Sequence, residues 1–592
     1  MCGILLIVSK DGTELDQSEC FEALKLLEKR GPDHTVKKFI DKKIFFAQTI
    51  LDITGSDNKQ SGSHLKSDSG RYEILFNGEI YNFKGLKDKY FSSQEANPYQ
   101  SIDTNILVNM FGKLKYQEVI KQLDGMYAFA LYDNHEKTIS ISRDPQGEKS
   151  LFIYEDRSIL IVSSIIPPIL RLVKDISYDH QVIRNYFKTR HFMFIEDTPF
   201  QGIKQLKPGC SKTFNLENQS WHTIEETTIL DWVNEDLFFE MRNITLNDAT
   251  DRLDSIMQST VKDMIPETKF ASIVTGGIDS SLITSYLMDN SNPDIMIAIN
   301  HIGKDYLSDD LSLFEKSFGN QIRLLDVDLD QYGKEISRCQ KELCGPLFSH
   351  SFVGQSILSS DIKSAGCKVL FGGEAADELF GGYSCYFNFQ DKMRAYNASP
   401  SDYTSYTDSA ISFPEDDPKN YQNELSDAWK ECVSVYSSFQ DGAEMYLQAM
   451  MLFDAAYQVS SVGLRGADIM SSMWGIETRS MFLRKPIIEF ILNIPVNLKV
   501  NQSASNDIAG TKPLLKNLFS RRFPDIEIQK KQGFAGFPNE SIKFLGDYKD
   551  FKIFDILGIK NIDNSIESLS RETAWKMINL EFFFRNDFLN RS

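Results

Sequence analysis

The run Phe270-Ala271-Ser272-Ile273-Val274 passes directly into Thr275-Gly276-Gly277-Ile278-Asp279-Ser280-Ser281, and from there into a helix-like segment ending near Met288. Apolar and small residues closed off by glycines read as a buried strand. A buried strand feeding a tight turn and a helix is the front half of a βα unit. No other feature restricts the fold as much. Similar buried runs return at Ile295-Met296-Ile297-Ala298-Ile299 and Lys368-Val369-Leu370-Phe371. Upstream, Leu253, Ile256, Met257 and Val261 recur at helical spacing, and beyond about residue 386 the text is mostly amphipathic helix. Strands alternating with helices predict an α/β architecture with a doubly wound parallel sheet covered on both faces.

The N-terminal third is written differently. Ile44-Phe45-Phe46-Ala47, Tyr72-Glu73-Ile74-Leu75-Phe76, Met126 to Tyr132 and Ser158-Ile159-Leu160-Ile161-Val162 are short β-type runs divided by Gly and Asp-Asn steps. They predict layered sheets with few helices. Near Pro208-Gly209 a polar, Glu/Asn-rich stretch begins, so a linker is expected over 206–245, between a first domain at 1–205 and a second at 246–592. A chain of 592 residues is in any case too long for one core, at about 150 residues per domain.

Charge and cysteines exclude several roles. A net charge of −19 repels phosphate backbones, so nucleic acid is not an expected partner. The eight cysteines lie far apart, and even Cys339 and Cys344 lack C-x-x-C spacing, which fits free thiols in a reducing compartment. No apolar run reaches the ~20 residues needed to span a bilayer, and Ile4–Val8 is too short for a signal peptide. A soluble, cytoplasmic protein is expected.

The chain opens Met1-Cys2-Gly3-Ile4. Once Met1 is removed, the Cys2 thiol sits beside an α-amine of pKa ~7.7–8.0, a built-in base for a nucleophile. Alone, a small buried cysteine at a strand start is the commoner role. Two further segments change this reading. Arg30-Gly31-Pro32-Asp33 is a rigid turn, and Phe76-Asn77-Gly78-Glu79-Ile80-Tyr81-Asn82 ends a strand in an Asn-Gly step. That step offers either a hairpin turn or donors for an oxyanion hole. Together with Asp103-Thr104, Leu123 to Ala130 and Ser142-Arg143-Asp144-Pro145, these segments resemble the class II glutamine amidotransferase domain over 1–205. The resemblance implies an Ntn-hydrolase-like αββα sandwich in which Cys2 is the nucleophile. It further implies that Asn77 and Gly78 hold the oxyanion, that Ile50, Leu51 and Glu79 line the glutamine pocket, and that Asp103 receives the substrate ammonium.

The glycine turn at Thr275 lets backbone close around phosphate at a helix N-terminus. It resembles the pyrophosphate loop of the N-type ATP pyrophosphatases, with Thr275 in place of the first serine. Further on, Gly372-Gly373-Glu374-Ala375-Ala376-Asp377-Glu378 crowds three carboxylates beside glycines, a costly arrangement without a cation. Mg²⁺ on ATP phosphates answers that need. This segment closely resembles the asparagine synthetase motif, and the likeness continues through Leu464-Arg465, Asp468, Trp474 to Arg479, Phe482-Leu483, Thr511 to Lys516 and Lys531-Gln532-Gly533-Phe534. From end to end the chain resembles the glutamine-hydrolysing asparagine synthetases. The resemblance implies that Val274, Thr275, Gly276, Gly277, Asp279, Ser280, Ser281, Ile299, Gly372 and Gly373 bind ATP. Asp279 and Asp377 would hold Mg²⁺, Glu374 and Lys512 would assist the chemistry, and aspartate is the default acceptor. It also makes a homodimer an expectation.

Three departures stand out. Ile50 occupies the place of an arginine that grips the α-carboxylate of glutamine in the family, so either glutamine is bound weakly or another cation substitutes. Gly372, Ala375 and Ala376 replace Ser, Gly and Ser. Arg484 replaces an aspartate. Amidation of a different carboxylate, use of free ammonia, or a catalytically silent relative are the alternatives these departures leave open.

Overall fold

Ile4 to Val8 are all buried, and the alternation of their side chains lets one strand serve two cores. The computed structural model describes residues 2–53, 65–91, 102–188, 196–306, 310–389, 420–528, 551–557 and 571–589; Lys531 to Phe534 lie outside this set. In the first unit the strands are β1 (Gly3–Ser9), β2 (His34–Ile40), β3 (Ile44–Ile50), β4 (Tyr72–Ile80), β5 (Gly125–Asp133), β6 (Thr138–Arg143), β7 (Phe152–Glu155), β8 (Ile159–Ser163), β9 (Ile203–Gln205), β10 (Cys210–Asn215) and β11 (Ser220–Glu226). They form two antiparallel sheets, ordered β2-β3-β1-β8-β7-β9 and β11-β10-β6-β5-β4.

Ile4, Leu6 and Val8 point between the sheets, where they meet Phe46, Leu75, Ala128, Ile141 and Val162. Leu5 and Ile7 point outward to the helix Gln17–Lys25. The outer face of the other sheet, through Ile74, Phe76 and Phe129, packs on the helices Phe83–Tyr90, Asp103–Met110 and Tyr116–Gln122. The layers run helix, sheet, sheet, helix, as expected.

The linker expected over 206–245 is displaced. β10 pairs with β6 and β11 with β10, so the second sheet continues to Glu226. β11 is the sheet's exposed edge strand, and polar residues suited to an edge read in sequence like a connector.

In the second unit, β12 (Phe270–Ile273), β13 (Ile295–Ile302), β15 (Ile322–Val327), β16 (Val369–Gly372) and β17 (Glu477–Ser480) run parallel in the order β15-β13-β12-β16-β17, with β14 (Asp305–Tyr306) folded back on β13. Phe270 and Phe371 face the helices Leu246–Met264, Ile278–Met288 and Pro513–Arg522. Ala271, Ile273 and Leu370 face Leu329–Leu343, Ser351–Ser364 and Leu464–Ser472. This is the doubly wound sheet that the alternation predicts. Among the described residues no helix is long and apolar enough to cross a membrane.

Candidate active sites

Cys2 precedes β1 and lies against the neighbouring sheet. Its backbone nitrogen donates to Asn77 Oδ1 at 2.9 Å, which fixes the amide and leaves Asn77 Nδ2 fully buried with no hydrogen-bond partner among the described residues. An orphaned buried donor costs ~1–3 kcal/mol, and this one is open to an acceptor. Gly78 has φ 148°, and a Cβ there would lie 1.9 Å from the Met126 carbonyl oxygen. Only glycine permits β4 and β5 to approach so closely beside Asn77. Gln48 clamps the same strand, donating to Phe76 O at 2.7 Å and accepting from Phe76 N at 2.9 Å.

Burial pushes the Cys2 thiol up, opposed by the chain's terminal amine, the Leu51 backbone and Gln48. Asp103, at the start of its helix, accepts from Ile80 N at 2.9 Å and Thr104 N at 2.6 Å. Burial raises its carboxyl in spite of those donors. Burial pushes Glu79 up to about 8 against the pull of Arg479, with Glu477 and Asp103 adding repulsion. Glu79 and Asp103 are thus buried carboxyl groups with incomplete compensation, a setting that suits an incoming ammonium.

Leu51 reaches the site through its backbone, while its side chain is buried with Tyr81 and Met126 in the core shared with the second unit. Ile50 is the half-buried last residue of β3, paired with His34.

Several partners of this pocket come from across the seam between the units. Arg30 Nε donates to Cys2 O at 3.2 Å, Nη1 to Ser472 Oγ at 2.6 Å, and Nη2 to both Asp468 oxygens at 3.1 Å. Arg479 on β17 lies 3.3 Å from Glu79 and 2.9 Å from Glu477 and also donates to the Met264 carbonyl. Burial would raise Glu477, but the terminal amine, Arg479 and Lys149 hold it well below the usual carboxylate range. The reversed charge at Arg484 is matched locally. It pairs with Glu148, lies 3.6 Å from Asp124, and sits 4.5 Å over the Tyr81 ring, all on the first unit.

The second cluster forms where β12 and β16 end. Val274 is buried in one core and Ile299 in the other, so the strand ends present backbone between them. Thr275 N donates to Ser280 Oγ at 3.2 Å, and Gly276 takes a positive φ to turn the chain into the helix that Gly277 caps. Ser281 Oγ is buried without a hydrogen-bond partner among the described residues. Gly373 brings its loop to within 3.4 Å of the Asp279 Cβ, measured from an added Cβ. Glu374, pushed up by burial, accepts from Ser480 Oγ at 2.7 Å.

Lys512 Nζ bonds both oxygens of Asp279, at 2.7 and 2.6 Å, and Asp377 Oδ1 at 2.6 Å. Burial opposes its charge, yet the two carboxylates hold it well above the ordinary lysine range. A Cβ on Gly382 would fall 1.9 Å from Asp377 Oδ1 and 2.4 Å from Lys512 Cε, so this convergence needs a glycine beside it. Two carboxylates meeting at one point fit Mg²⁺, which takes one or two protein carboxylates and completes its shell with phosphate oxygens and water.

The structure thus brings Cys2, Asn77, Gly78, Glu79 and Asp103 together, and separately Thr275 to Ser281, Gly372 to Glu374, Asp377 and Lys512. Sequence reasoning missed that Glu477, Arg479, Arg30 and Asp468 join the first group. The available signal was the Glu477-Thr478-Arg479 alternation, which puts two opposite charges on one face of a strand.

Residues 1–224 match the family described as glutamine amidotransferase domain, and 252–551 match asparagine synthase. Asparagine synthetase 3 (glutamine-hydrolysing) of Bacillus subtilis is 22% identical over 96% of this chain and 94% of that protein. A putative glutamine-hydrolysing asparagine synthetase of Methanocaldococcus jannaschii is 22% identical over 87% of this chain and 85% of its own length. A solved glutamine phosphoribosylpyrophosphate amidotransferase from B. subtilis aligns at TM-score 0.29 and 16% identity over 57% of this chain and 77% of that one, too loosely to bear on the fold.

Proposed function

The chain belongs to the asparagine synthase family and is a glutamine-hydrolysing ligase, and from that premise we propose how its two clusters divide the work. Cys2, freed of Met1, attacks the side-chain amide of glutamine and passes its proton to its own α-amine. The developing oxyanion takes the donor that Asn77 Nδ2 has to spare. Ammonia leaves, and water then releases glutamate from the thioester. Asp103 and Glu79 receive the substrate ammonium.

In the second cluster a carboxylate, aspartate by default, attacks the α-phosphate of ATP. An acyl-adenylate forms and pyrophosphate departs. A carboxylate is a poor electrophile, and adenylation supplies the leaving group. Ammonia then displaces AMP and gives the amide. Thr275 to Ser281 cradle the phosphates through backbone and hydroxyls, Lys512 stabilises charge on the departing pyrophosphate, and Glu374 lies where the intermediate forms. Mg²⁺, when bound, would be held by Asp279 and Asp377 and would neutralise phosphate charge.

The observation that carries this reading is that β17, a strand of four residues, touches both clusters. Arg479 meets Glu79 while its neighbour Ser480 meets Glu374. β17 thus stands between the two clusters, and in this reading ammonia released at one passes beside it to the other. The test is ATP–pyrophosphate exchange screened across carboxylates, with aspartate expected to support it. Exchange with a sugar acid but not with aspartate would replace the acceptor. In parallel, Cys2→Ala is expected to lose glutamine hydrolysis and keep ammonia-dependent AMP formation; loss of both in a folded protein would contradict the division of labour.

A further inference from the structure

Free glutamine is a zwitterion. Its ammonium nitrogen and carboxylate carbon are both bonded to one carbon and lie about 2.5 Å apart by ordinary bond lengths and angles. Whatever grips the carboxylate must therefore stand beside the groups that grip the ammonium. Glu79 and Asp103 take the ammonium, so the missing cation has to be sought next to them. Ile50 cannot supply it.

Among the described residues, the cations around the pocket differ in what they already hold. Arg30 is committed on every side, to Cys2 O, Ser472 and Asp468. Arg484 is paired with Glu148 and faces Asp124. Lys368 bonds Asp33 and the Asp52 carbonyl, both at 2.8 Å. Of these four, Arg479 is the one that meets a carboxylate assigned to the ammonium, with Nη2 at 3.3 Å from Glu79 Oε1. Its Nε is anchored at 2.9 Å on Glu477, and the Met264 carbonyl takes another donor, so Nη2 is the corner presented to the pocket. The Glu79 side chain retains 21% exposure while that of Arg479 has 3%, so a ligand reaches Arg479 once Glu79 turns aside.

We infer that Arg479, a residue of the second unit, binds the α-carboxylate of glutamine in the first unit's pocket. The inference rests on reading the Cys2 pocket as the glutaminase site. Binding exchanges one ion pair for two: Glu79 turns to the ligand ammonium, and the Nη2 that it leaves turns to the ligand carboxylate. The exchange is neutral in charge and needs no cation at position 50. It also makes the pocket a shared site, complete only when β17 is seated against β4.

The test measures binding by calorimetry to the full chain carrying Cys2→Ala, with two probes. One is L-glutamine; the other is 4-aminobutanamide, the same molecule without the carboxylate. Glutamine is expected to bind the parent about 10- to 150-fold more tightly than the decarboxylated probe, the worth of one charge-assisted contact. Arg479→Met is expected to collapse that ratio to near one by weakening glutamine while the probe still binds. Arg479→Lys, which keeps the charge without the fork, is expected to retain part of it. An unchanged ratio in Arg479→Met overturns the assignment, as does loss of both probes alike in Arg479→Met with a full ratio in Arg479→Lys. Collapse in Lys368→Met instead moves the role to Lys368. If the parent binds no glutamine at all, the glutaminase reading falls with it.

Discussion

Around Lys512 the counter-charges Asp279 and Asp377 both belong to the second unit, whereas around Cys2 one guanidinium of the pocket, Arg479, and one of its carboxylates, Glu477, arrive from across the seam. The phosphate cluster is assembled by strand ends and helix starts of a single sheet. The Cys2 cluster is assembled by docking. Changes confined to the first unit should therefore touch one activity, while changes on the seam face of the second should reach both.

The largest effect is expected where the pairing is most local. Lys512→Met leaves Asp279 and Asp377 facing each other without their cation and removes the charge set against pyrophosphate. AMP formation should drop by about 10²- to 10³-fold, with glutamine hydrolysis falling far less. Equal losses measured by AMP and glutamate assays would mean the clusters are not separable in this way.

Next is the seam itself. Asp468→Ala strands Arg30, a guanidinium 2% exposed, without its carboxylate. Breaking a buried pair costs about 3–5 kcal/mol, expected as a lowered unfolding transition together with weaker glutamine hydrolysis, because Arg30 also holds the Cys2 carbonyl. An unshifted transition would show that the docked arrangement does not depend on this pair.

The pairing around Asp468 was invisible in sequence for a simple reason. Arg30 and Ser472 are 442 residues apart, and no local pattern encodes such a partner. What was legible was whatever the chain writes contiguously: Cys2 at a strand start, Asn77-Gly78 at a strand end, glycines between β12 and its helix. The polar edge strand β11 reads as a connector because exposure, which defines an edge, also defines a linker. Arg484 stands in sequence as a reversed charge with no visible counterpart, because Glu148 and Asp124, which face it, lie more than three hundred residues upstream.

Acidity gives a finer test. Glu79 is raised to about 8 from an ordinary 4.5, so the fold binds its proton more tightly than the unfolded chain does. Its penalty to stability is complete above that value and fades as pH falls toward 4.5. Pairing with a ligand ammonium needs the ionised form. Glutaminase KM should accordingly rise as pH drops below 8, by at most about tenfold per unit, and the slope should vanish in Glu79→Gln. A flat wild-type profile would assign the ammonium to Asp103 alone.

The smallest effect sharpens the contrast in backbone strain. Ala375 at φ 69° and Lys512 at φ 49° both occupy the left-handed region, and both flank the phosphate cluster. Among the described residues no non-glycine member of the Cys2 pocket does so. Ala375→Gly should relieve about 1 kcal/mol, read as a slightly raised unfolding transition. A lowered transition would mean that the alanine methyl contributes packing worth more than its strain.

The seam also sets the terms for any attempt to transplant these units. Glu79, Glu148 and Arg30 leave the first unit as charges whose complements are Arg479, Arg484 and Asp468 on the other. A chimera that joined residues 1–226 to a foreign synthetase would bury each of them against whatever the new neighbour offers, at several kcal/mol apiece where the sign or the reach is wrong. The exchangeable cassette is therefore not the first sheet sandwich alone. It is the sandwich together with the helix Leu464–Ser472, β17 and the turn through Arg484 that follows it, segments that lie far downstream in the chain and would have to be grafted with it.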